Sequence, residues 1–191
     1  MSQIRVIAGK YGGRKLDAPH ADNTRTKPMG ERIRNAMFNS LGSEVIGASV
    51  LDAFAGTGAV GLEALSRGAS HATFVERDKI AQKILSKNVV SLGAENEAKI
   101  INASVNSWIE SGGAGTYDII FADPPYNDLQ FSTISKLFGL LKPGGRMVLS
   151  HSGRGEGPNL KNGIVVVDNR SYGNADRKST RLNSSHPAGS R

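Results

Sequence analysis

Leu51-Asp52-Ala53-Phe54-Ala55-Gly56-Thr57-Gly58-Ala59-Val60-Gly61 is the stretch that decides the fold of this 191-residue chain. A β-rich run enters it, glycines fill the turn, and a helical pattern leaves it. The spacing Gly56-x-Gly58-x-x-Gly61 satisfies the dinucleotide fingerprint, in which glycine lets the backbone come close to a ligand at a helix N-terminus. Glu76 closes the next strand-like run, about 20 residues on, where an acid for ribose hydroxyls is expected.

Outward from this turn, β-rich runs alternate with helical patterns, which predicts a mostly parallel sheet with helices on both faces. The strands are expected at Val50–Phe54, His71–Glu76, Ala98–Asn102, Tyr117–Ala122, Arg146–Ser150 and Ile164–Asn169, the helices at Val60–Arg67, Lys79–Leu92, Val105–Glu110 and Leu129–Leu141. Lys142-Pro143-Gly144-Gly145 reads as the stop signal of the last helix. Before Val50, Ile4–Leu16 reads as a hairpin turned by Gly12-Gly13. Gly30–Leu41 reads as an amphipathic helix, with Ile33, Met37, Phe38 and Leu41 on one face and Arg32, Arg34 and Asn35 around the other.

Asp52 separates two uses of the glycine loop. A carboxylate there repels a pyrophosphate but suits the cationic amino-acid end of S-adenosylmethionine, which carries no phosphate. Asp123-Pro124-Pro125-Tyr126, following Tyr117–Ala122, points the same way. A planar amino nitrogen is a poor nucleophile because its lone pair is delocalised into its ring. Asp123 and the Pro124 carbonyl offer acceptors for such an amine, and Tyr126 offers a stacking face. A dinucleotide-dependent oxidoreductase would use the glycines but leave this motif idle and lacks an evident hydride-transfer base. The motif alone admits adenine N6, cytosine N4, guanine N2 and glutamine amides.

The net charge of +7 is uneven: residues 1–40 hold eight basic and three acidic side chains, residues 41–175 twelve and thirteen. A basic arm on a neutral body is the footprint of a polyanion partner. With no cysteine, disulfides, thiolate catalysis and cysteine-based zinc sites are excluded. His20, His71, His151 and His186 have no ligand spacing, no metal is required, and Trp108 fits a helix packed on the sheet. No apolar run approaches a membrane span and basic residues interrupt any leader, so a cytoplasmic location is expected; a monomer is the expected state.

Loop, acid and Asp123-Pro124-Pro125-Tyr126 resemble a class I S-adenosylmethionine-dependent methyltransferase. Arg5-Val6-Ile7-Ala8-Gly9, Gly13-Arg14-Lys15-Leu16, and Thr24-Arg25 leading to Glu31-Arg32-Ile33-Arg34-Asn35-Ala36-Met37-Phe38-Asn39 resemble, more narrowly, the RsmD family. The resemblance implies a Rossmann-like sheet, S-adenosylmethionine as donor, and the N2 amine of a guanine in 16S ribosomal RNA, naked or in a small-subunit assembly intermediate, as acceptor. It implies that Asp52, Ala53, Gly56, Thr57, Gly58, Glu76, Arg77, Ser104 and Asp123 surround the cofactor, and that Asp123, Pro124, Pro125 and Tyr126 form the catalytic motif. Ser104 stands where the family has an acid near the adenine. Arg5, Lys10, Arg14, Lys15, Arg25, Lys27, Arg32 and Arg34 would contact RNA from an extension over residues 1–48, ahead of a catalytic domain over 49–175. The alternatives are an amino-methyltransferase acting on another nucleic-acid base, at adenine N6 or cytosine N4, and a non-catalytic RNA-binding relative.

Residues 176–191 lack periodicity, and Asp176–His186 resembles the translation of a sequencing-library adapter. They read as an artefactual or disordered tail in the place of the family's final strand, which is therefore expected to be missing.

Overall fold

Apolar runs buried on both faces need a parallel sheet with a helical layer on either side, and the central strands obey that rule. The structure, a computed structural model, describes residues 3–19, 29–112, 115–125, 130–151, 164–171 and 178–184. Strands β3 (Ser49–Asp52), β4 (His71–Glu76), β5 (Ala98–Asn102), β6 (Tyr117–Ala122), β7 (Leu141–His151), β8 (Ile164–Ser171) and β9 (Lys178–Ser184) form one sheet in the order β5-β4-β3-β6-β7-β9-β8. The first five are mutually parallel, Val50 pairing with Ala72 on one side and Ile119 on the other. Successive residues of β3 feed different cores. Val50 joins Leu62, Leu65, Phe74 and Leu85 beneath helices α2 (Ala59–Ser66) and α3 (Lys79–Leu92), while Leu51 joins Trp108, Ile120, Ile134 and Leu137 beneath α4 (Val105–Glu110) and α5 (Phe131–Phe138).

The helices begin where local chemistry supplies caps. Asp78 accepts from the amides of Ile80 and Ala81 at the start of α3, and Gly93, at φ 68°, ends it. Ser104 likewise caps α4. Helix α5 stops at Phe138, short of the expected Leu141. Lys142-Pro143-Gly144-Gly145 is instead an irregularity inside β7: between the pairs Tyr117↔Leu141 and Ile119↔Arg146, β6 advances two residues and β7 five. A Cβ on Gly145 would lie 2.9 Å from the Lys142 carbonyl oxygen, so the fold of this bulge, rather than a helix end, needs the glycine.

The expectation of a missing final strand is overturned. β9 runs antiparallel between β7 and β8, with pairs such as Val148↔Arg181 and Val166↔Leu182. Ladder pairing engages main-chain groups alone, and the seven residues Lys178–Ser184 contain neither proline nor glycine. An open edge on β7 accepts such a segment whatever its hydrophobic pattern, so the strand gives no periodic signal in the sequence.

The N-terminal segments share a core with the sheet. β1 (Gln3–Arg5) and β2 (Lys15–Asp17) pair antiparallel, and the residues between them fold over the end of α2. Gly9, at φ 83°, lies so close to the Ser66 carbonyl that a Cβ would sit 1.8 Å from its oxygen. Tyr11 N–H donates to Ser66 Oγ at 2.9 Å. Val6, Leu16, Met29 and Phe38 pack in the same cluster as Leu62 and Phe74.

Helix α1 (Glu31–Leu41) corrects one reading of its faces. Arg34, placed by periodicity on the polar side, is fully buried with Met37, Phe38 and Leu41. Its guanidinium donates to the carbonyls of Met29 and Arg5 and lies 3.6 Å from Glu63. Glu63, also fully buried, accepts from Ile7 N–H at 2.7 Å, Ala8 N–H at 3.1 Å and Arg67 Nε at 2.7 Å. The partner that draws Arg34 inward is thus on α2. Arg34 ties the extension to the sheet and has no surface from which to contact RNA.

Candidate active site

In the parallel part of the sheet, β3, β4 and β6 are neighbours whose carboxyl ends share one edge. The chain runs from β3 outward to β5, then returns to β6 on the other side of β3. That reversal is the topological switch point at which open α/β sheets bind ligands. Asp52 ends β3, Glu76 ends β4, and Asp123 follows the last residue of β6. Topology alone therefore gathers the three acids that the sequence singled out.

The loop between β3 and α2 is fixed from several sides. Ala53 N–H donates to the Phe121 carbonyl at 2.9 Å and Ala55 N–H to that of Val75 at 3.0 Å, which stitches the loop's entry to both flanking strands. Gly58 precedes α2 with φ 83°, and a Cβ there would meet Leu85 Cδ1 at 2.3 Å; one on Gly61 would meet Phe74 Cε1 at the same distance. Gly58 thus serves close packing of the start of α2 against α3, and Gly61 that of α2 on the sheet. Gly56 differs. Its φ of 54° is left-handed, and the place of its absent Cβ faces open space. The turn there leaves open space beside its backbone.

The acids are held by backbone donors. No side chain adjacent to α2 caps it; Asp52 reaches across from β3, and its Oδ2 accepts from Gly61 N–H at 2.9 Å. Burial pushes the Asp52 carboxyl up from its ordinary 3.8 to about 7, opposed by the Gly61 amide and reinforced by the nearby charges of Asp123 and Glu76. Glu76 accepts from Gly56 N–H and Asp78 N–H, each at 2.7 Å, through different oxygens. A carboxylate has about four lone-pair sites, so each Glu76 oxygen keeps capacity for a further donor. Asp123 is half-buried, Pro124 buried and Pro125 exposed. Two successive prolines carry no N–H, so the chain leaving Asp123 presents acceptors only.

The other expected site residues fall into distinct environments. Thr57 is buried and Arg77 exposed. Ser104 is committed to capping α4: its Oγ accepts from Ser107 N–H at 3.1 Å and donates to Ser107 Oγ at 2.8 Å. Arg5, Lys10, Arg14, Lys15 and Arg32 are exposed. Lys10 is paired with Glu97 at 2.6 Å, and Arg14 donates to the Ser91 carbonyl. Tyr126, Arg25 and Lys27 lie outside the described residues.

Two positioning residues escape sequence reading. Asn88, buried on α3, donates through Nδ2 to the carbonyls of Thr57 and Asp17, both at 3.0 Å, and accepts from Asp17 N–H at 2.8 Å. It joins the end of the hairpin to the glycine loop. The other is Glu63, whose only signal in the sequence is an acid inside the otherwise uncharged helix Ala59–Ser66.

Comparison with known proteins agrees with this fold. The family model described as Conserved hypothetical protein 95 matches residues 4–179. Ribosomal RNA small subunit methyltransferase D of Escherichia coli K12 is 42% identical over 124 residues, which cover 65% of this chain and 61% of that protein. The match thus spans less than two thirds of that relative's length. Bacillus subtilis YlbH is 31% identical over 179 residues, 89% of this chain and 94% of the relative. The solved structure of Escherichia coli yhhF superposes with a TM-score of 0.85 at 30% identity, covering 96% of this chain and 99% of that one. With the family model matching nearly the whole chain and YlbH 31% identical over 89% of it, the chain belongs to the Conserved hypothetical protein 95 family, the family of the RsmD methyltransferases.

Proposed function

We propose that the protein transfers a methyl group from S-adenosylmethionine to a base amine of small-subunit ribosomal RNA, and that the amine is N2 of a guanine. The observation that carries the reading is the placement of Asp123-Pro124-Pro125 at the switch point, beside a buried Asp52 and an acceptor-rich Glu76. RNA as substrate, and the cytoplasm as location, rest on the relatives' names and on the exposed cations of the hairpin. Among the described residues, no helix is long and apolar enough to cross a membrane.

The residues present fit the cofactor. Gly56 leaves room for close approach, Asp52 provides a carboxylate that a cation would stabilise, and Glu76 retains acceptor capacity for ribose hydroxyls. When bound, S-adenosylmethionine supplies an electrophilic methyl on a sulfonium. Asp123 and the Pro124 carbonyl accept from the two amine hydrogens, which aims the nitrogen lone pair and favours tetrahedral geometry. As the methyl–nitrogen bond formed and the methyl–sulfur bond broke, leaving the neutral thioether S-adenosylhomocysteine, positive charge would move to that nitrogen, where the Asp123 carboxylate would stabilise it. The proton of the methylated nitrogen would pass to the hydrogen-bonded Asp123 carboxylate and on to water. Positioning supplies the rest of the acceleration, since a held nucleophile reacts without the entropy loss of encounter.

Asp52 gives the cofactor step a pH signature. Its folded-state value of about 7 exceeds the ordinary 3.8, so its contribution to stability is complete below about 4 and is lost as pH rises through 7. A cation beside it favours the ionised form. S-adenosylmethionine affinity is therefore expected to rise with pH up to about 7 and then level, with proton release on binding below that point. Titration calorimetry in buffers of different ionisation enthalpy measures both. A flat profile between pH 5 and 8 would remove Asp52 from the cofactor's cationic end. The activity itself is tested by labelled methyl transfer to small-subunit rRNA and to small-subunit particles. Incorporation into either supports the proposal, and none into both refutes it.

A further inference from the structure

Helix α3 carries lysines at 79, 83 and 87 and no acidic side chain between Lys79 and Leu92. At 1.5 Å of rise per residue, four-residue spacing sets successive members about 6 Å apart along one ridge. All three are exposed. Like charges at this spacing destabilise a helix, so helix stability does not account for them. Lys87 approaches Asp17 at 3.2 Å while its side chain stays 68% exposed. Among the described residues, neither Lys79 nor Lys83 forms an ion pair.

A shallow groove of about 640 Å³ follows this ridge, lined on α3 by Gln82, Lys83, Ser86, Lys87, Val90 and Ser91 and at the end of β5 by Asn102. Its polar groups are hydroxyls, amides and ammoniums, with no carboxylate among them. Both ends of the ridge lead somewhere. At the C-terminal end of α3, Arg14 from the hairpin donates to the Ser91 carbonyl. At the N-terminal end, Lys79 follows Asp78, whose N–H donates to Glu76. The ridge of lysines thus runs from beside the hairpin, where Lys87 meets Asp17, to the rim of the active site.

We propose that the outer face of α3 is an RNA-docking ridge, on which Lys79, Lys83 and Lys87 take phosphates of a strand running from the N-terminal hairpin to the active-site rim. The proposal rests on the RNA methyltransferase reading above. The occupant is a nucleic acid because the ridge sets three evenly spaced cations beside a groove of hydroxyls, amides and one apolar side chain, Val90, which serves a regular polyanion with sugars and bases between its charges.

The test is the triple variant Lys79→Gln/Lys83→Gln/Lys87→Gln in the full chain, compared with wild type in methyl transfer to small-subunit rRNA and particles at several salt concentrations. The expected result is a rise of roughly ten- to hundredfold in KM for RNA, with kcat at saturating RNA and S-adenosylmethionine affinity retained. The dependence of log KM on log salt should become shallower by about two, from three lost phosphate contacts at about 0.7 each. A melting temperature at or above that of wild type accompanies this result. An active wild type with an unchanged KM and salt slope in the variant overturns the ridge alone. The same outcome holds if the variant loses only binding to anionic phospholipid vesicles, since the lysines, with exposed Ile80 and Val90 beside them, would then serve a membrane surface. A wild type that methylates neither rRNA nor particles overturns the underlying reading and the ridge with it.

Discussion

Replacing Asp123 with Ala is expected to lower kcat for methyl transfer by about 10³ while S-adenosylmethionine binding survives. The magnitude is the upper end for removal of one preorganised group that stabilises developing charge. The split follows from the structure. Asp123 stands at the end of β6, and the loop that fits the cofactor is held by contacts that do not involve its side chain: Asp52 with Gly61, Glu76 with Gly56, and Asn88 with Thr57. Asp123 also helps to push the Asp52 carboxyl upward, so its removal should tighten cofactor binding slightly below pH 7. Asp123→Asn keeps one acceptor and should retain more activity than the alanine variant. Single-turnover methyl transfer together with calorimetric cofactor binding measures the split. Loss of both functions in parallel would mean that Asp123 serves binding rather than the chemical step.

The second large effect belongs to Glu63. Glu63→Ala leaves the buried Arg34 without its counter-charge and strips two main-chain N–H groups, those of Ile7 and Ala8, of their acceptor. Breaking a buried pair from one side costs about 3–5 kcal/mol. At about 2–4 °C per kcal/mol for a chain of this size, the melting temperature should fall by roughly 10 °C. Removing both charges should cost less than removing one, so Glu63→Gln/Arg34→Met is expected to recover part of the loss. Thermal melts of Glu63→Gln, Arg34→Met and the double variant, beside Glu63→Ala, decide this. If the double variant is as unstable as the sum of its single changes, Glu63 and Arg34 act independently and the buried network is not a unit.

The same network shows where sequence reading stops. Strands His71–Glu76, Ala98–Asn102 and Tyr117–Ala122 and helices Lys79–Leu92 and Val105–Glu110 were legible to the residue, because their caps and periodicity are local. Asp78, Gly93 and Ser104 state the helix ends within one or two positions of them. The convergence of Asp52, Glu76 and Asp123 was legible too, since a parallel α/β order dictates it. Arg34 was not. Its position on a helical wheel says polar and outward, and only a carboxylate 29 residues away on another helix reverses that. Asn88 likewise reads as an ordinary helix-surface amide until Thr57 and Asp17 are brought to it. The bulge at Lys142–Gly145 uses the same residues that end helices, and β9 pairs through main-chain groups that every sequence possesses. Each miss replaces a local rule by a distant partner.

Identity of the methylated amine is the centre of the functional reading, and nucleoside analysis of rRNA after transfer of a labelled methyl group tests it most directly. Small-subunit rRNA or particles treated with the full chain should carry label in N2-methylguanosine, and the label should vanish with Asp123→Ala. Label in N6-methyladenosine or N4-methylcytosine, or an absence of N2-methylguanosine, would contradict it.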